Sequence, residues 1–569
     1  MPQHTDVERI ALAEAWIAQD PDPETRDELA AIVAGARSGD AAAADDLADR
    51  FDSRLAFGTA GLRGEIAAGP NRMNRVLVSQ GAAGLAAFLL ERAGDDAGEA
   101  PSVVVGYDGR RNSEVFARDV AEVMSGAGVR AILLPRLLPT PVLAFAVRHL
   151  GTSAGVMITA SHNPPNDNGM KVYLGGEDAG SQIVAPADAE IAAHILRVAE
   201  TVAVPELPRG AVETAPESVV DAYVAETAAV AEPPAMQPRV VYTAMHGVGW
   251  ETMRRVLETA GFDVPALVSA QIEPDGRFPT VAFPNPEEPG AMDLSFEAAR
   301  AAGADLVIAN DPDADRLAIA IPDPSAAEGY RRLTGNEVGL LLGWQVAEQH
   351  TGADGSDGTG RGTLACSIVS SPGLEAVARA HGLDFASTLT GFKWISRAPG
   401  LVFGFEEALG YLVNPRTLRD KDGISAGVAF LSLAARAAAE GRTVADRLDE
   451  FVERFGCFAS SQVSIRVTDL SRIADVMARL RAEPPTDVGG IRVERIDDLA
   501  RGVDGLPPSD VLRIRLEGDA RVMVRPSGTE PKLKVYIDAA ATEGSVAERR
   551  AAATDVVERL EAGMRELVA

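Results

Sequence analysis

The sequence predicts an α/β protein of four domains: three similar α/β units followed by a C-terminal α+β domain. Three observations carry this. A β-α-β pattern, with a polar glycine-containing turn after its first strand, occurs three times. At 569 residues the chain is too long for one compact core. Past about residue 455 the pattern changes to short strands around single helices.

The first fifty residues read as helices, rich in helix formers and acidic groups (AEAWIAQDPDPETRDELAAIVAGA). The first β-α-β copy is SVVVGYDGR, SEVFARDVAEVMSGAG and VRAILLP. The second is RVVYTAMHGVG, WETMRRVLETAG and FDVPALV, and the third GTLACSIVSSP, GLEAVARAHG and LDFAST. AVPELPRGAVETAPES, rich in Pro, Glu and Ala, suits a domain junction, and TGADGSDGTGRG an insertion within the third domain. QVSIRV, the helix LSRIADVMARLRAE, then DVLRIRLEG, ARVMVRP, KLKVYIDAA and a helix over 545–568 make the last domain. The expected domains are 1–212, 213–324, 325–455 and 456–569.

Composition excludes several classes. With 46% hydrophobic and 24% charged residues the chain reads as globular. A net charge of −29 argues against non-specific binding to nucleic acid or an anionic membrane. No basic-then-apolar signal peptide opens the sequence and no uninterrupted apolar run reaches membrane-spanning length. Cys366 and Cys457 have neither CxxC nor metal-ligand spacing, and a cytoplasmic location is expected. Monomer and dimer both stay open. An anionic substrate would require a local positive field against the charge of the whole chain.

Four runs carry chemistry. ADLVIANDPDADRLAIAIP sets Asp311, Asp313 and Asp315 between two strands, and in extended chain alternate carboxylates would share a face. An EF-hand needs Gly and Glu where Arg316 and Pro322 stand, so Mg²⁺ with an open position suits the run better than Ca²⁺. RVMVRPSGTEPKLKVY gathers Arg525, Ser527, Gly528, Thr529 and Lys532 at a tight turn. Residues 521–534 hold four basic groups and one acidic, reversing the sign of the chain. In STLTGFKWI and VFGFEEALGYL, Lys393 offers a phosphate or hydroxyl contact, Glu406 and Glu407 offer acceptors for sugar hydroxyls, and Thr390 and Gly391 are candidate substrate contacts. AFGTAGLRGEIAAGPNRMN could place Arg63 or Arg72 over an anion or simply connect two elements, and DGRRN is equally ambiguous.

TASHNPPNDNGMKVY puts Ser161 where a strand gives way to a turn, exposed enough to react yet fixed. His162 is adjacent in sequence, which normally turns the ring elsewhere, and no GxSxG elbow surrounds the serine. With an aspartate loop and a phosphate clamp elsewhere, phosphoryl transfer through Ser161 fits better than acyl transfer.

TASHNP, DPDADR, GFEEALGY and RPSGTEPK, in this order, resemble the phosphoserine, Mg²⁺, sugar-specificity and phosphate-binding loops of the α-D-phosphohexomutase family, over nearly the whole chain from about residue 50. The resemblance implies three related mixed-sheet domains and a smaller C-terminal one around a central cleft. It implies Ser161 as the phosphorylated serine, holding Mg²⁺ with Asp311, Asp313 and Asp315. Arg316 would lie beside the transferring group and Arg63 near the phosphoserine, with Lys171 a candidate general acid/base and His162 a hydrogen-bonding neighbour. Glu406 would bind sugar hydroxyls, and Arg525, Ser527, Gly528, Thr529 and Lys532 the phosphate that is not transferred. The loop departs from the common Glu-x-Ser pattern at Ala408, and GFEEALGY looks most like the long subfamily of bacterial α-phosphoglucomutases and animal phosphopentomutases.

The expected activity is interconversion of glucose 1-phosphate and glucose 6-phosphate through glucose 1,6-bisphosphate. Phosphomannomutase, phosphopentomutase, sugar bisphosphate synthase and a silent sugar-phosphate sensor are the alternatives. The intact Ser161 and aspartate triad argue against the sensor, which needs neither.

Overall fold

A computed structural model of the chain describes residues 4–58, 61–94, 100–352, 361–467, 471–526 and 532–568. The chain forms two compact units, Met1–Arg331 with Asn414–Ser432, and Arg332–Val413 with Leu433–Ala569.

The first unit opens with helices Asp6–Gln19, Pro23–Arg37 and Ala41–Phe51. Thr5, Asp22 and Asp40 start them by accepting hydrogen bonds from orphan first-turn amides. Trp16, Leu29, Leu47 and Phe51 form their shared core. Two mixed sheets follow. In the first, Arg130–Leu133, Ser102–Tyr107 and Ala154–Ile158 lie side by side in parallel, and Asp167–Leu174 adds antiparallel to Ala154–Ile158. In the second, Ala266–Leu267, Val240–Thr243 and Leu306–Asn310 are parallel and Leu317–Pro322 is antiparallel.

The second unit repeats the arrangement with Asp384–Thr388, Thr363–Ser367, Leu401–Glu406 and the reversed Gly410–Leu412. Numbered by chain order within each copy, the strands lie 2-1-3-4 in space with the fourth reversed, three times over. The repetition read from the sequence is therefore present in the topology. It also positions the chemistry, because in every copy strand three turns back into strand four. Those turns are residues 159–166, 311–316 and 407–409. Each holds a buried non-glycine residue in the left-handed region: Ser161 at φ 52°, Ala314 at 55° and Leu409 at 62°. Such backbone costs about 1–3 kcal/mol and persists where the surroundings over-determine it.

The C-terminal sheet is antiparallel, in the order Cys457–Arg466, Lys532–Ala541, Arg521–Pro526, Leu512–Leu516, Ile491–Asp498 and Asp487–Val488. Helices Ser471–Ala482 and Val546–Val568 contribute Met477 and Leu560 to its core beside Val522 and Val535.

Four local features depart from the sequence reading. FDVPALV pairs over Ala266–Leu267 alone, because Pro265 cannot donate to a ladder. The glycine-rich run around Arg63 contains the strand Leu62–Glu65, antiparallel to Asp167–Leu174 with Arg63 opposite Gly169. Helix Arg75–Ala93 is long and apolar enough to cross a membrane, but Leu77, Val78, Leu85 and Leu89 pack into the core of the first sheet. Glu213–Thr214 extends that sheet beside Ile132 and Leu133.

Candidate active site

In the first unit, Ala154–Ile158 is buried throughout and delivers the chain to Thr159. The Thr159 hydroxyl donates to Asp108 at 2.6 Å and accepts the Ser161 amide at 2.8 Å. Ser113 and the Arg110 amide also donate to Asp108, at 2.6 and 3.0 Å. Arg110 then gathers the loop: its guanidinium donates to the carbonyls of Ser161 and Asn163, both at 2.6 Å, and of Pro164 and Asp167 at 2.8 and 3.2 Å. Five fixed donors in one plane suit such a task, and lysine could not reproduce it. The DGRRN turn, ambiguous in the sequence, is thus the scaffold of the serine loop. Its signal was faint because it acts on backbone carbonyls, which any residue supplies.

Ser161 donates from Oγ to Asp311 Oδ2 at 2.8 Å, and His162 Nδ1 lies 3.3 Å from the same hydroxyl. The expectation that adjacency turns the His162 ring away does not hold, and the left-handed backbone at Ser161 is the physical reason. Burial, then the charges of Arg316 and Arg63, depress the imidazole well below its ordinary range, so it faces the serine uncharged.

The aspartates converge, but through a turn and not through strand alternation. Ala314 takes left-handed backbone and its amide donates to the Asp311 carbonyl at 2.9 Å. The three carboxylates offer oxygens within 4.8 Å of one another, all buried. Asp313 Oδ1 and Asp315 Oδ1 are buried with no hydrogen-bond partner. Orphaned hard oxygens in a buried trio fit a hard divalent cation. Burial, with Asp313 and Asp315 alongside, pushes the Asp311 carboxyl well above the carboxylate range. The other two are buried as well, but Lys171, joined at Asp315 by Lys421, outweighs burial and holds them below it.

Lys171 donates to Asp313 Oδ2 and Asp315 Oδ2, both at 2.7 Å. Burial opposes its charge, yet these two carboxylates outweigh burial and raise its affinity for the proton. Arg63 donates to Asn163 Oδ1 at 3.2 Å, in the field of Asp313 and Asp315. The Arg316 amide donates to Asp311 Oδ1 at 3.0 Å. Ser161, His162, Lys171, Arg63, Arg316 and the aspartates thus share one region of the first unit.

Three contributors were not singled out from sequence. Thr140 caps Asp313, its hydroxyl 2.6 Å from Oδ2. Lys421 Nζ lies 3.3 Å from Asp315 Oδ2, and neighbouring Asp420 accepts from Tyr173 at 2.8 Å and Gln182 at 2.7 Å. Lys421 arrives on Asn414–Ser432, which returns to this unit after an excursion of eighty-two residues, Arg332–Val413, into the other. Gly423 lets it approach, since a Cβ there would lie 2.2 Å from the Arg316 carbonyl oxygen. The run RDKDG was the available signal.

The second unit carries the other candidates. Glu406 ends strand Leu401–Glu406, half-buried and opposite Gly410. Glu407 turns inward and accepts from Ser367 and Ser370 at 3.1 and 2.9 Å, so the two adjacent carboxylates are structurally unequal. Thr390 and Gly391 precede the short helix Phe392–Ile395 that holds Lys393, and Gly391 takes φ 105°. Arg525 lies on Arg521–Pro526 opposite Lys534, and Lys532 begins the next strand. Ser527, Gly528 and Thr529 lie outside the described residues.

The chain matches the four phosphoglucomutase/phosphomannomutase domains: alpha/beta/alpha domains I, II and III over residues 54–201, 221–324 and 334–455, and the C-terminal domain over 463–556. It is 52% identical over 478 residues to a Haemophilus influenzae protein named "Probable phosphomannomutase", covering 84% of this chain and 95% of that one. A Staphylococcus epidermidis phosphoglucomutase is 34% identical, covering 86% and 91%. A Schizosaccharomyces pombe protein named "Probable phosphoribomutase" is also 34% identical, covering 92% and 93%. In fold the chain is similar to a Burkholderia thailandensis phosphoglucomutase/phosphomannomutase family protein, with a TM-score of 0.68 at 19% identity over 91% of this chain and 97% of that one. With all four domains in order, the chain belongs to the phosphoglucomutase/phosphomannomutase family of α-D-phosphohexomutases and is an intramolecular phosphotransferase, an isomerase.

Proposed function

We propose that the protein interconverts α-D-glucose 1-phosphate and glucose 6-phosphate, using phosphorylated Ser161 and glucose 1,6-bisphosphate as intermediate and activator. The observation that carries this reading is the meeting of Ser161 Oγ with Asp311, beside Asp313 and Asp315 bridged by Lys171. The Oγ–P bond breaks as the O6 hydroxyl of glucose 1-phosphate forms its bond to phosphorus, and the hydroxyl proton leaves to a base. In the second half the phosphate on O1 moves back to Ser161, and glucose 6-phosphate departs.

Asp311, Asp313 and Asp315, with the phosphoserine, would hold Mg²⁺, which when bound supplies charge neutralisation at the transferring phosphoryl group. Arg63 and Arg316 add positive charge next to the serine loop. Lys171, kept protonated by its two carboxylates, suits donation of a proton to the departing oxygen. Asp108, Thr159 and Arg110 hold Ser161 in place, so little reorganisation is needed during transfer. Glu406, Thr390, Gly391 and Lys393 are assigned to the sugar, and Arg525, Ser527, Gly528, Thr529 and Lys532 to the phosphate that stays. The domain boundaries proposed are those expected from the sequence, and the location proposed is the cytoplasm.

A second reading, phosphomannomutase, is favoured by the name of the 52% identical relative, and phosphopentomutase by Ala408 in place of a hydroxyl-bearing residue. Side-by-side kcat/KM on glucose 1-phosphate, mannose 1-phosphate and ribose 1-phosphate decides between them. Glucose 1-phosphate is expected to lead. A wide lead for mannose or ribose phosphate overturns the first reading.

A further inference from the structure

Within the second unit, a chain of polar contacts runs from the turn that follows Glu406 to the strand that carries Arg525. Glu407 accepts from Ser367 and Ser370, and its amide donates to Ser370 Oγ at 3.0 Å. The Ser370 carbonyl accepts a hydrogen bond from the Arg521 guanidinium, whose Nε donates to Asp538 Oδ2 at 2.9 Å. Asp538 Oδ1 accepts from Ser460 at 2.6 Å, and Ser460 Oγ accepts from Asn336 at 3.0 Å. Asn336 Oδ1 accepts the Ser371 amide at 2.8 Å, which brings the chain back beside Ser370.

Its middle is deeply placed, with Ser370 and Ser371 0% exposed, Ser367 1% and Asp538 2%, while Glu407, Ser460 and Arg521 are half-buried. Fully partnered buried networks specify one arrangement, because any other leaves a desolvated polar group unpaired. Arg521 and Arg525 are four residues apart on one strand and therefore share a face. A contact that shifts the strand at Arg521 therefore bears on the same face at Arg525. Glu407 and Glu406 are adjacent, so the other end of the network sets the carboxylate assigned to the sugar.

We propose that Arg521 is a positioning residue that couples the sugar-reading turn at Glu406 to the phosphate-gripping strand at Arg525. This rests on the roles proposed above for Glu406 and Arg525. The two features would act as one ruler, and discrimination between sugar phosphates would depend on a residue that touches neither end of the substrate.

The test is a double-mutant cycle of Arg521→Met and Glu407→Gln in the full chain with Mg²⁺, on the best sugar 1-phosphate and on a poorer epimer. Arg521→Met is expected to raise KM roughly tenfold, with kcat within about twofold, since Glu406 and Arg525 are assigned to binding, and loss of binding shared by ground and transition states raises KM alone. It should also narrow the kcat/KM ratio between the two sugars, and the double variant should lose no more than the worse single one. Losses that multiply, an unchanged ratio, or a fall in kcat at constant KM overturn the proposal. If thermal melting shows Arg521→Met unfolded, Arg521→Lys takes its place, keeping a cation at Asp538 without the second arm to Ser370. A raised KM then supports the coupling, and a wild-type KM refutes it. A wild type that prefers mannose phosphate defeats the glucose reading while leaving the cycle intact.

Discussion

Ser161 and Asp311 stand 150 positions apart in sequence, yet the serine hydroxyl donates to the Asp311 carboxylate at 2.8 Å. Both sit in the turn between strand three and strand four of their own α/β copy. A duplicated fold has thus brought two equivalent turns together, one supplying a hydroxyl and the other carboxylates.

Mg²⁺ should stabilise the wild-type protein, because the triad is a ligand set whose Asp313 Oδ1 and Asp315 Oδ1 have no hydrogen-bond partner. Saturation at a hundredfold excess over Kd adds about 2.7 kcal/mol to unfolding. Melting in EDTA against graded Mg²⁺ is expected to show a rising Tm, and Asp313→Asn to abolish most of the rise. An Mg²⁺-independent Tm in the wild type contradicts the site.

Lys171→Met removes the cation shared by Asp313 and Asp315. Breaking a buried pair costs about 3–5 kcal/mol, and Lys421 beside Asp315 should keep the loss near the lower end. Denaturant unfolding in EDTA is expected to show the full loss, with part of it recovered in excess Mg²⁺. Mutase kcat should fall about 10²–10⁴-fold if Lys171 moves a proton. Unchanged kcat rules out that role.

Arg110→Lys tests the scaffold of the serine loop. One ammonium cannot serve four carbonyls, so the loop should lose order while Asp311, Asp313 and Asp315 keep their arrangement. A kcat lowered by about tenfold or more is expected, together with an unchanged Mg²⁺ dependence of Tm.

Much of this arrangement could be read from the sequence, and the parts that could not share a physical cause. The β-α-β copies were visible because buried parallel strands read as continuous apolar runs, as in SVVVGY and AGVMI. Strand Ile491–Asp498 was not, since a register shift after Val493 breaks its inward and outward alternation. The aspartates were noticed as a cluster, but Ala314 converges them by a turn that strand alternation does not describe. Arg110 is undecidable from sequence and the place of Lys421 invisible in it, for different reasons. The first bonds carbonyls, which leave no mark in sequence, and the second returns from a segment more than a hundred positions past the aspartate it meets.

Both cysteines should resist modification in the native state. They are buried and free, and burial pushes the Cys366 thiol up to about 12. A group whose pKa lies that high is protonated at pH 8, with roughly one thiolate in ten thousand. Iodoacetamide at pH 8 is expected to label neither residue in native protein and both in urea. Fast native labelling of Cys366 contradicts the burial.

Phosphorylation of Ser161 is measured by mass spectrometry of the Ser161 peptide after incubation with glucose 1,6-bisphosphate and Mg²⁺. One phosphate is expected on Ser161, chasing onto added sugar phosphate, with no labelling or mutase turnover in Ser161→Ala. A Ser161 that never carries phosphate, with Ser161→Ala turning over at the wild-type rate, would contradict it.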